Sequence, residues 1–231
     1  MNNYFGIRED IVRYVLDEIV SRYAGFDPAH RENHALTVIE QAMNLMDSRA
    51  VWLKEQSAET AELWSEEIDR EILFVAAACH DLGLVNGRDN HHTDSGIIIR
   101  NDCHLKEWFT DEDIEIIAQA AEDHRASGKS VPRSIYGKIV AEADRDLAPE
   151  VVFRRVIQFG LDNYPDIDRE GQWKRFKSHL ENKYAATGYI RLWIQGSENE
   201  RNLKALREIL VNPKQLRQWF EQCYEQIIGA E

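Results

Sequence analysis

Residues 74–84 read FVAAACHDLGL and join an apolar stretch to a histidine and an aspartate that are adjacent in the chain. The run from Ile72 to Cys79 is apolar and mostly small, which predicts a helix in the middle of a helical bundle. Gly83 follows closely and favours an end to regular helical structure. An imidazole and a carboxylate at the edge of a core, His80 and Asp81, either cap this helix end or bind a ligand.

Helical periodicity extends from this stretch in both directions. Upstream, helices are predicted over residues 7–25, 34–53 and 61–81. Thr110 with Asp113 three positions later resembles a capping box, and a proline opens two of the downstream helices. These downstream helices are predicted over residues 95–105, 110–124, 135–147, 149–164 and 212–229. The first helix places one apolar face inward, formed by Ile7, Ile11, Val15, Ile19 and Tyr23.

No segment shows the sustained alternation of a β-strand. Residues 188–194, GYIRLWI, could pass for a strand, but they lie between helical segments. We therefore predict an all-α fold class. The chain is expected to form a single all-α domain over residues 1–231, in which a helical C-terminal extension of about residues 162–231 packs on the rest.

Composition limits the classes of partner. The 231 residues carry a formal net charge of −13, which disfavours nucleic acid and anionic membranes. The negative net charge still allows a small anionic substrate if the binding site is locally basic or holds a metal. Three cysteines without a CxxC pair favour a reducing compartment, and neither a signal peptide nor a membrane span is visible. We therefore expect a cytoplasmic protein without nucleic-acid or membrane partners.

Histidines and acidic residues recur near the predicted helix ends, which can converge on one pocket in a bundle. Neutral imidazole with carboxylate suits Fe, Mn, Zn, Co or Ni. Adjacent residues on a helix diverge by about 100°, so His80 and Asp81 can share an ion only where the backbone leaves regular geometry. The candidate residues at these ends are His34, His80, Asp81, His91, His92, His124 and Asp144.

This ordered set resembles the signature of the HD superfamily of metal-dependent phosphohydrolases, which is a His, a His-Asp pair and a distant Asp. The matching strings here are ENHALTV around His34, ACHDLG around His80 and Asp81, and KIVAEADRDL around Asp144. The resemblance covers about half of the chain, from residue 34 to residue 146.

Two intervening strings, HHTDSGIIIR and AEDHRASGKSVP, are similar to family segments that carry further histidines. In the first string, the spacing to Gly96 favours His92, with His91 as the alternative. In the second string, the match selects His124, although a histidine at a helix C-terminus also has favourable charge there without binding a metal.

The resemblance implies an HD-domain helical bundle, with a core at about residues 30–150, that holds one or two divalent ions, Mg included among the options. Asp81 would be both a ligand and the catalytic residue. Glu142 and Asp146 stay open as alternatives to Asp144. The implied metal ligands are His34, His80, Asp81 and Asp144 for a first ion, and His92 and His124, with Asp81 bridging, for a second ion.

The resemblance further implies hydrolysis of a phosphoester or phosphoanhydride by a metal-activated water. The substrate would be a nucleotide or a related small phosphorylated metabolite. Between His124 and Ala141 the chain has basic but no acidic residues, and arginine suits forked phosphate contacts. The candidate substrate-binding residues are Arg125, Lys129 and Arg133, with Lys138 in the same basic stretch and Arg88 and Arg145 as lesser candidates.

Two other classes of function are compatible with the sequence. An HD protein could bind a metal or nucleotide and act as a sensor without hydrolysis, and a helical protein-interaction module would need no metal. An intact ligand set favours the enzyme. The apolar C-terminal helices could also serve a homodimer.

Overall fold

The computed structural model describes residues 4–26, 30–64, 68–125 and 130–229. Regular structure in these ranges is helical and contains no β-strand, so the all-α prediction is confirmed. Residues 188–194 are irregular. Within the described ranges, no helix combines the length and the apolar character that crossing a membrane requires. The α-helices are α1 (Glu9–Tyr14), α2 (Glu32–Asp47), α3 (Arg49–Trp52), α4 (Ala58–Leu63), α5 (Arg70–Cys79), α6 (His91–Asn101), α7 (Leu105–Trp108), α8 (Asp111–Asp123), α9 (Ile135–Ala143), α10 (Pro149–Asn163), α11 (Arg169–Tyr184), α12 (Glu198–Leu210) and α13 (Pro213–Ile228).

The N-terminal segment keeps its predicted apolar face but changes helix type along its length. After α1, Val15–Ile19 form a π-helical turn and Val20–Gly25 form a 3₁₀ helix. The apolar residues recur every four positions, whereas an α-helix has 3.6 residues per turn. A wider π turn keeps the later members of the repeat in line with the earlier ones. The five predicted face residues, Ile7, Ile11, Val15, Ile19 and Tyr23, are all buried.

Capping side chains determine where two central helices begin. Helix α5 begins at Arg70, later than the predicted residue 61, because the Asp69 carboxylate accepts hydrogen bonds from two backbone N–H groups of the first turn. From Ile72 onward α5 is buried along its whole length, as predicted. Helix α8 begins where Thr110 and Asp113 form the predicted capping box.

The chain forms two compact units. The first comprises Met1–Asp144 with Trp193–Gly196, and the second comprises Arg145–Leu192 with Ser197–Glu231. In the first unit α5 packs against α2, α8 and α9, and their apolar faces form one core with the N-terminal helices. The first unit therefore includes the N-terminal helices in addition to most of the predicted core of about residues 30–150.

The second unit is built from α10 to α13. Helix α10 packs against α11 and α13, and α12 packs against α11 and α13. Pro149 opens α10, and the Asn212 side chain caps α13 ahead of Pro213, both as predicted. Its fully buried residues include Phe153, Phe176, Leu180, Leu206 and Phe220.

Helix α6 begins at His91, four residues earlier than predicted, so that His91 and His92 lie on its first turn rather than in a loop. The preceding residues Leu82–Asn86 form a 3₁₀ helix that packs against α6. A Cβ atom at Gly83 would lie 2.0 Å from the backbone carbonyl oxygen of His91. Glycine is therefore required for this close approach.

Candidate metal centre

Five helices of the first unit bring histidine and aspartate side chains to one place. Each of these side chains lies at or just beyond a helix end, where the backbone can depart from regular geometry. His34 lies on the first turn of α2, His80 and Asp81 directly follow α5, His91 begins α6, His124 directly follows α8, and Asp144 directly follows α9.

The first group of ligand atoms belongs to His34, His80 and Asp81. The Nε2 atom of His34 lies 3.2 Å from His80 Nε2 and 3.6 Å from Asp81 Oδ2. His80 Nε2 lies 3.3 Å from the same carboxylate oxygen. Asp144 joins this group, because its Oδ1 atom lies 3.2 Å from His34 Nε2 and 3.7 Å from His80 Nε2.

The second group belongs to Asp81, His91 and His124. The Nε2 atoms of the two histidines lie 3.3 Å apart. Asp81 Oδ1 lies 3.4 Å from His91 Nε2 and 3.3 Å from His124 Nε2. Asp81 therefore directs one carboxylate oxygen to each group, as a residue that bridges two cations would.

Three of the histidines are oriented by the backbone of the preceding turn. His80 Nδ1 hydrogen bonds to the Ala77 carbonyl oxygen at 2.8 Å, and His91 Nδ1 to the Arg88 carbonyl oxygen at 2.7 Å. His124 Nδ1 hydrogen bonds to the Ala121 carbonyl oxygen. A carbonyl only accepts, so Nδ1 is the protonated nitrogen in each ring and Nε2 carries the lone pair of the neutral form.

This tautomer makes the cluster a fit for a cation. In their neutral forms, His91 and His124 direct two Nε2 lone pairs at one another across 3.3 Å, an arrangement that needs a proton or a metal between them. Two ligand atoms about 2.1 Å from one ion lie roughly 3.0–3.4 Å apart, close to the distances in both groups. Metal-bound histidines also donate their other ring N–H to a carbonyl or carboxylate, as these do.

The electrostatics of the cluster keep its carboxylates ionised. Burial opposes ionisation of Asp81, but the nearby His80, His124 and His34 outweigh it and hold the pKa of Asp81 well below its usual value. Burial likewise opposes ionisation of Asp144, and the hydrogen bond from His34 overcomes this and lowers the pKa of Asp144 to about 2. The cluster therefore presents buried negative charge, which favours a bound cation.

The same charges act on the imidazoles. Burial lowers the pKa of His34, but Asp144 and Asp81 outweigh it and raise that pKa to about 9. For His124 burial is likewise outweighed, chiefly by Asp81, and the pKa is raised. Without a metal ion, protons on these rings supply the positive charge that the cluster attracts.

The structure brings His91, rather than the predicted His92, into the second group. Helical neighbours diverge by about 100°, so only one of the two can face the cluster. Ser95, one turn beyond His91, is fully buried and accepts a hydrogen bond from the Gly83 N–H. His92 lies outside both groups, and its Nδ1 atom is buried without a hydrogen-bond partner among the described residues.

The two alternatives to Asp144 make other contacts. Glu142 is fully buried, and its Oε2 atom accepts a hydrogen bond from the Trp193 N–H at 3.4 Å. The Asp146 carboxylate accepts a hydrogen bond from the Ala148 N–H at 3.1 Å. Asp144 is therefore the carboxylate that the structure brings to His34.

The predicted substrate-binding arginines contact different kinds of partner. Arg88 Nη2 lies 3.3 Å from His30 Nε2, and Arg125 Nη1 donates a hydrogen bond to the Asp89 carbonyl oxygen at 2.6 Å. Arg133 instead pairs with the carboxylates of Glu122 and Asp123.

The remaining basic candidates are Lys138, Arg145 and Lys129. Lys138 Nζ lies 4.3 Å from the centre of the Trp64 ring. Arg145 belongs to the second unit, and Lys129 lies outside the described residues.

The fold and the site together define a helical protein with a His/Asp centre built at helix ends. The sequence model of the HD domain matches residues 31–148, just over half of the chain. The chain belongs to the HD domain family, which binds divalent metals and consists mostly of hydrolases. No curated protein and no solved structure matches the chain.

Proposed function

We propose that this protein is a metal-dependent phosphohydrolase acting on a nucleotide or a related small phosphorylated metabolite. The observation that carries the proposal is the pair of ligand groups that share Asp81. Membership of a family of mostly hydrolases supports the reaction class. The net charge of −13 supports a metal-based site for an anionic substrate, since the protein as a whole repels anions.

His34, His80, Asp81 and Asp144 would hold a first divalent cation. His91 and His124, with Asp81 shared, would hold a second cation, so that His91 takes the role first assigned to His92. Bound divalent ions supply two kinds of chemistry, a lowered pKa of bound water and polarisation of a phosphoryl oxygen. The backbone hydrogen bonds to Nδ1 of His80, His91 and His124 hold the Nε2 atoms in place before a ligand arrives.

Arg88 and Arg125 are the proposed phosphate-binding residues. Both are adjacent to the ligand set, since the Arg88 carbonyl oxygen accepts the His91 Nδ1–H and Arg125 follows His124 in the chain. Burial lowers the pKa of His91, and the Arg125 charge contributes to this lowering, so the guanidinium acts on a residue of the second ligand group. We leave Arg133 out of the proposed site, because two carboxylates already neutralise it.

Phosphate release from a nucleotide panel tests the proposal. Wild-type protein is assayed with added Mn²⁺, Fe²⁺ or Co²⁺, beside Asp81→Ala and the control Asp166→Ala, which removes an exposed carboxylate of the second unit. We expect metal-dependent turnover by wild type and the control and none by Asp81→Ala. Ligand-dependent thermal stabilisation without turnover would instead favour a sensor, and turnover unaffected by chelators would contradict the proposal.

A further inference from the structure

Tyr23 places a hydroxyl group at the break in the chain between His80 and Asp81. The residue is fully buried and lies on the 3₁₀ helix Val20–Gly25. Its Oη atom donates a hydrogen bond to the Ala78 carbonyl oxygen at 2.8 Å and accepts one from the Asp81 N–H at 3.1 Å. A single hydroxyl therefore contacts the backbone on both sides of His80.

These two bonds stand where the hydrogen-bond ladder of a continuous helix would run. In such a helix, the Asp81 N–H would donate to the Ala77 carbonyl. Here it donates to Tyr23, and the Ala77 carbonyl accepts the Nδ1–H of His80. Asp81 has left helical geometry, with φ −109° and ψ 10°. The Tyr23 hydroxyl thus stabilises the backbone turn that lets both side chains face one centre.

Tyr23 reaches this place from outside the region that matches the HD domain, which begins at residue 31. The π turn at Val15–Ile19 precedes it and keeps its side chain on the buried face. The tyrosine ring centre lies 6.2 Å from that of His80. A phenylalanine would fill the same space, so core packing alone does not explain the hydroxyl.

We propose that Tyr23 is a positioning residue for the metal centre and acts by fixing the backbone between Ala78 and Asp81. The inference rests on the proposed metal site. Without the hydroxyl, the Asp81 N–H is free to return to the Ala77 carbonyl, where it competes with His80 Nδ1. The ring of His80 and the shared carboxylate of Asp81 then lose their common alignment.

The test compares Tyr23→Phe with Tyr136→Phe. The Tyr136 hydroxyl accepts a hydrogen bond from the Asp69 N–H at 2.9 Å, at the opposite end of α5. The control therefore removes a tyrosine hydroxyl that contacts the backbone at the other end of the same helix. Co²⁺ binding is measured by titration calorimetry, together with the visible absorption spectrum of the Co²⁺-loaded full-length protein. Circular dichroism of the metal-free proteins reports folding.

We expect Tyr23→Phe to weaken Co²⁺ binding about 10- to 100-fold, the usual effect of losing an outer-shell partner, and to change the Co²⁺ spectrum. Tyr136→Phe should change Co²⁺ affinity less than about twofold. A folded Tyr23→Phe that binds Co²⁺ like wild type would overturn the positioning role while leaving the metal site intact. Wild type that fails to bind Co²⁺ would overturn the metal site and this role together.

If Tyr23→Phe does not fold, amide hydrogen exchange of the metal-free wild-type protein tests the positioning role instead. The proposal requires slow exchange of the Asp81 N–H, because the buried Tyr23 hydroxyl accepts it. Exchange of that amide as fast as in an exposed loop would overturn the proposal.

Discussion

A buried glutamine of the second unit and the buried His/Asp cluster of the first unit have opposite character. In the second unit Gln172 is 1% exposed, and its Nε2 atom donates to the carbonyl oxygens of Gly160 and Tyr164. In the first unit His80, Asp81 and His124 are at most 3% exposed. Here hydrogen-bond acceptors face other acceptors. The Nε2 atoms of His34 and His80 lie 3.2 Å apart, and those of His91 and His124 lie 3.3 Å apart.

The difference separates a structural polar contact from a functional one. A donor matched to acceptors satisfies itself within the fold, so Gln172 needs no ligand. Acceptors gathered around one point need a positive charge that the neutral side chains lack. Burial alone therefore does not mark a site, whereas buried groups that cannot satisfy one another do.

Removing one imidazole from the His/Asp cluster has the largest expected effect on metal binding. In His80→Ala the first ion loses a ligand and Asp81 loses its neighbour, so metal binding should weaken by more than about 100-fold, beyond the usual loss for an outer-shell partner. Elemental analysis after anaerobic purification measures occupancy, and far-UV circular dichroism should still show a helical protein. Full metal occupancy in this variant would mean that His80 is not a ligand.

The choice between adjacent histidines gives a smaller, more selective effect. His91→Ala should lower the metal-to-protein ratio at the second group, because His91 faces Asp81 and His124. His92→Ala should leave the ratio as in wild type, because His92 contributes no atom to either ligand group. The reverse pattern would return the ligand role to His92.

The hydrogen bonds of Gln172 in the second unit should affect the stability of the fold but not its metal content. Gln172→Leu removes the two hydrogen bonds that the buried amide donates to the Gly160 and Tyr164 carbonyl oxygens. At about 0.5–1.5 kcal/mol for each bond, the loss should be about 1–3 kcal/mol of unfolding free energy. Urea denaturation measures this loss, and metal content should not change. The control Gln158→Leu, whose amide bonds to Asp162 at an exposed position, should cost under about 0.5 kcal/mol. Equal losses of unfolding free energy in the two variants would show that the buried contact of Gln172 is no more stabilising than an exposed one.

An exposed matched pair should have the smallest effect. The hydrogen bond from Arg100, with help from Gln119, lowers the pKa of Glu115 from 4.5 to about 2. Because the folded-state pKa is depressed, the pair stabilises the fold above about pH 4.5 and the contribution disappears as the pH falls through about 2. Glu115→Gln should cost less than about 1 kcal/mol at neutral pH, and the difference should shrink to nothing as urea titrations are taken down through about pH 2. A difference that persists there would contradict this account.

The sequence was sufficient for the fold class because helical periodicity is local. It was insufficient for the starts of α5 and α6, since Asp69 caps one helix only in its folded context and residues 82–86 pack beside the other. The four-residue repeat from Ile7 to Tyr23 could have indicated the π turn, because 3.6 residues per turn cannot hold such a repeat on one line.

The sequence could predict which helix ends supply the His/Asp cluster. It could not predict which of two adjacent histidines on a helix faces the cluster. His91 lies in line with Ser95 and the apolar Ile99, which are both buried, whereas His92 lies in line with Gly96 and the charged Arg100. The apolar residue in the first row would have selected His91. Spacing to Gly96 pointed to the adjacent face, where a Cβ atom would meet Glu122. The sequence predicts Tyr23 only as a core residue, because periodicity reports burial and says nothing about a hydroxyl.

Anomalous diffraction from crystals grown with Mn²⁺ tests the central claim most directly. We predict a manganese peak within bonding distance of His34 Nε2, His80 Nε2 and an Asp81 oxygen, and at full loading a second peak beside His91 and His124. Manganese bound only elsewhere on the protein, or the absence of any peak at these side chains, would contradict the claim that they form a metal centre.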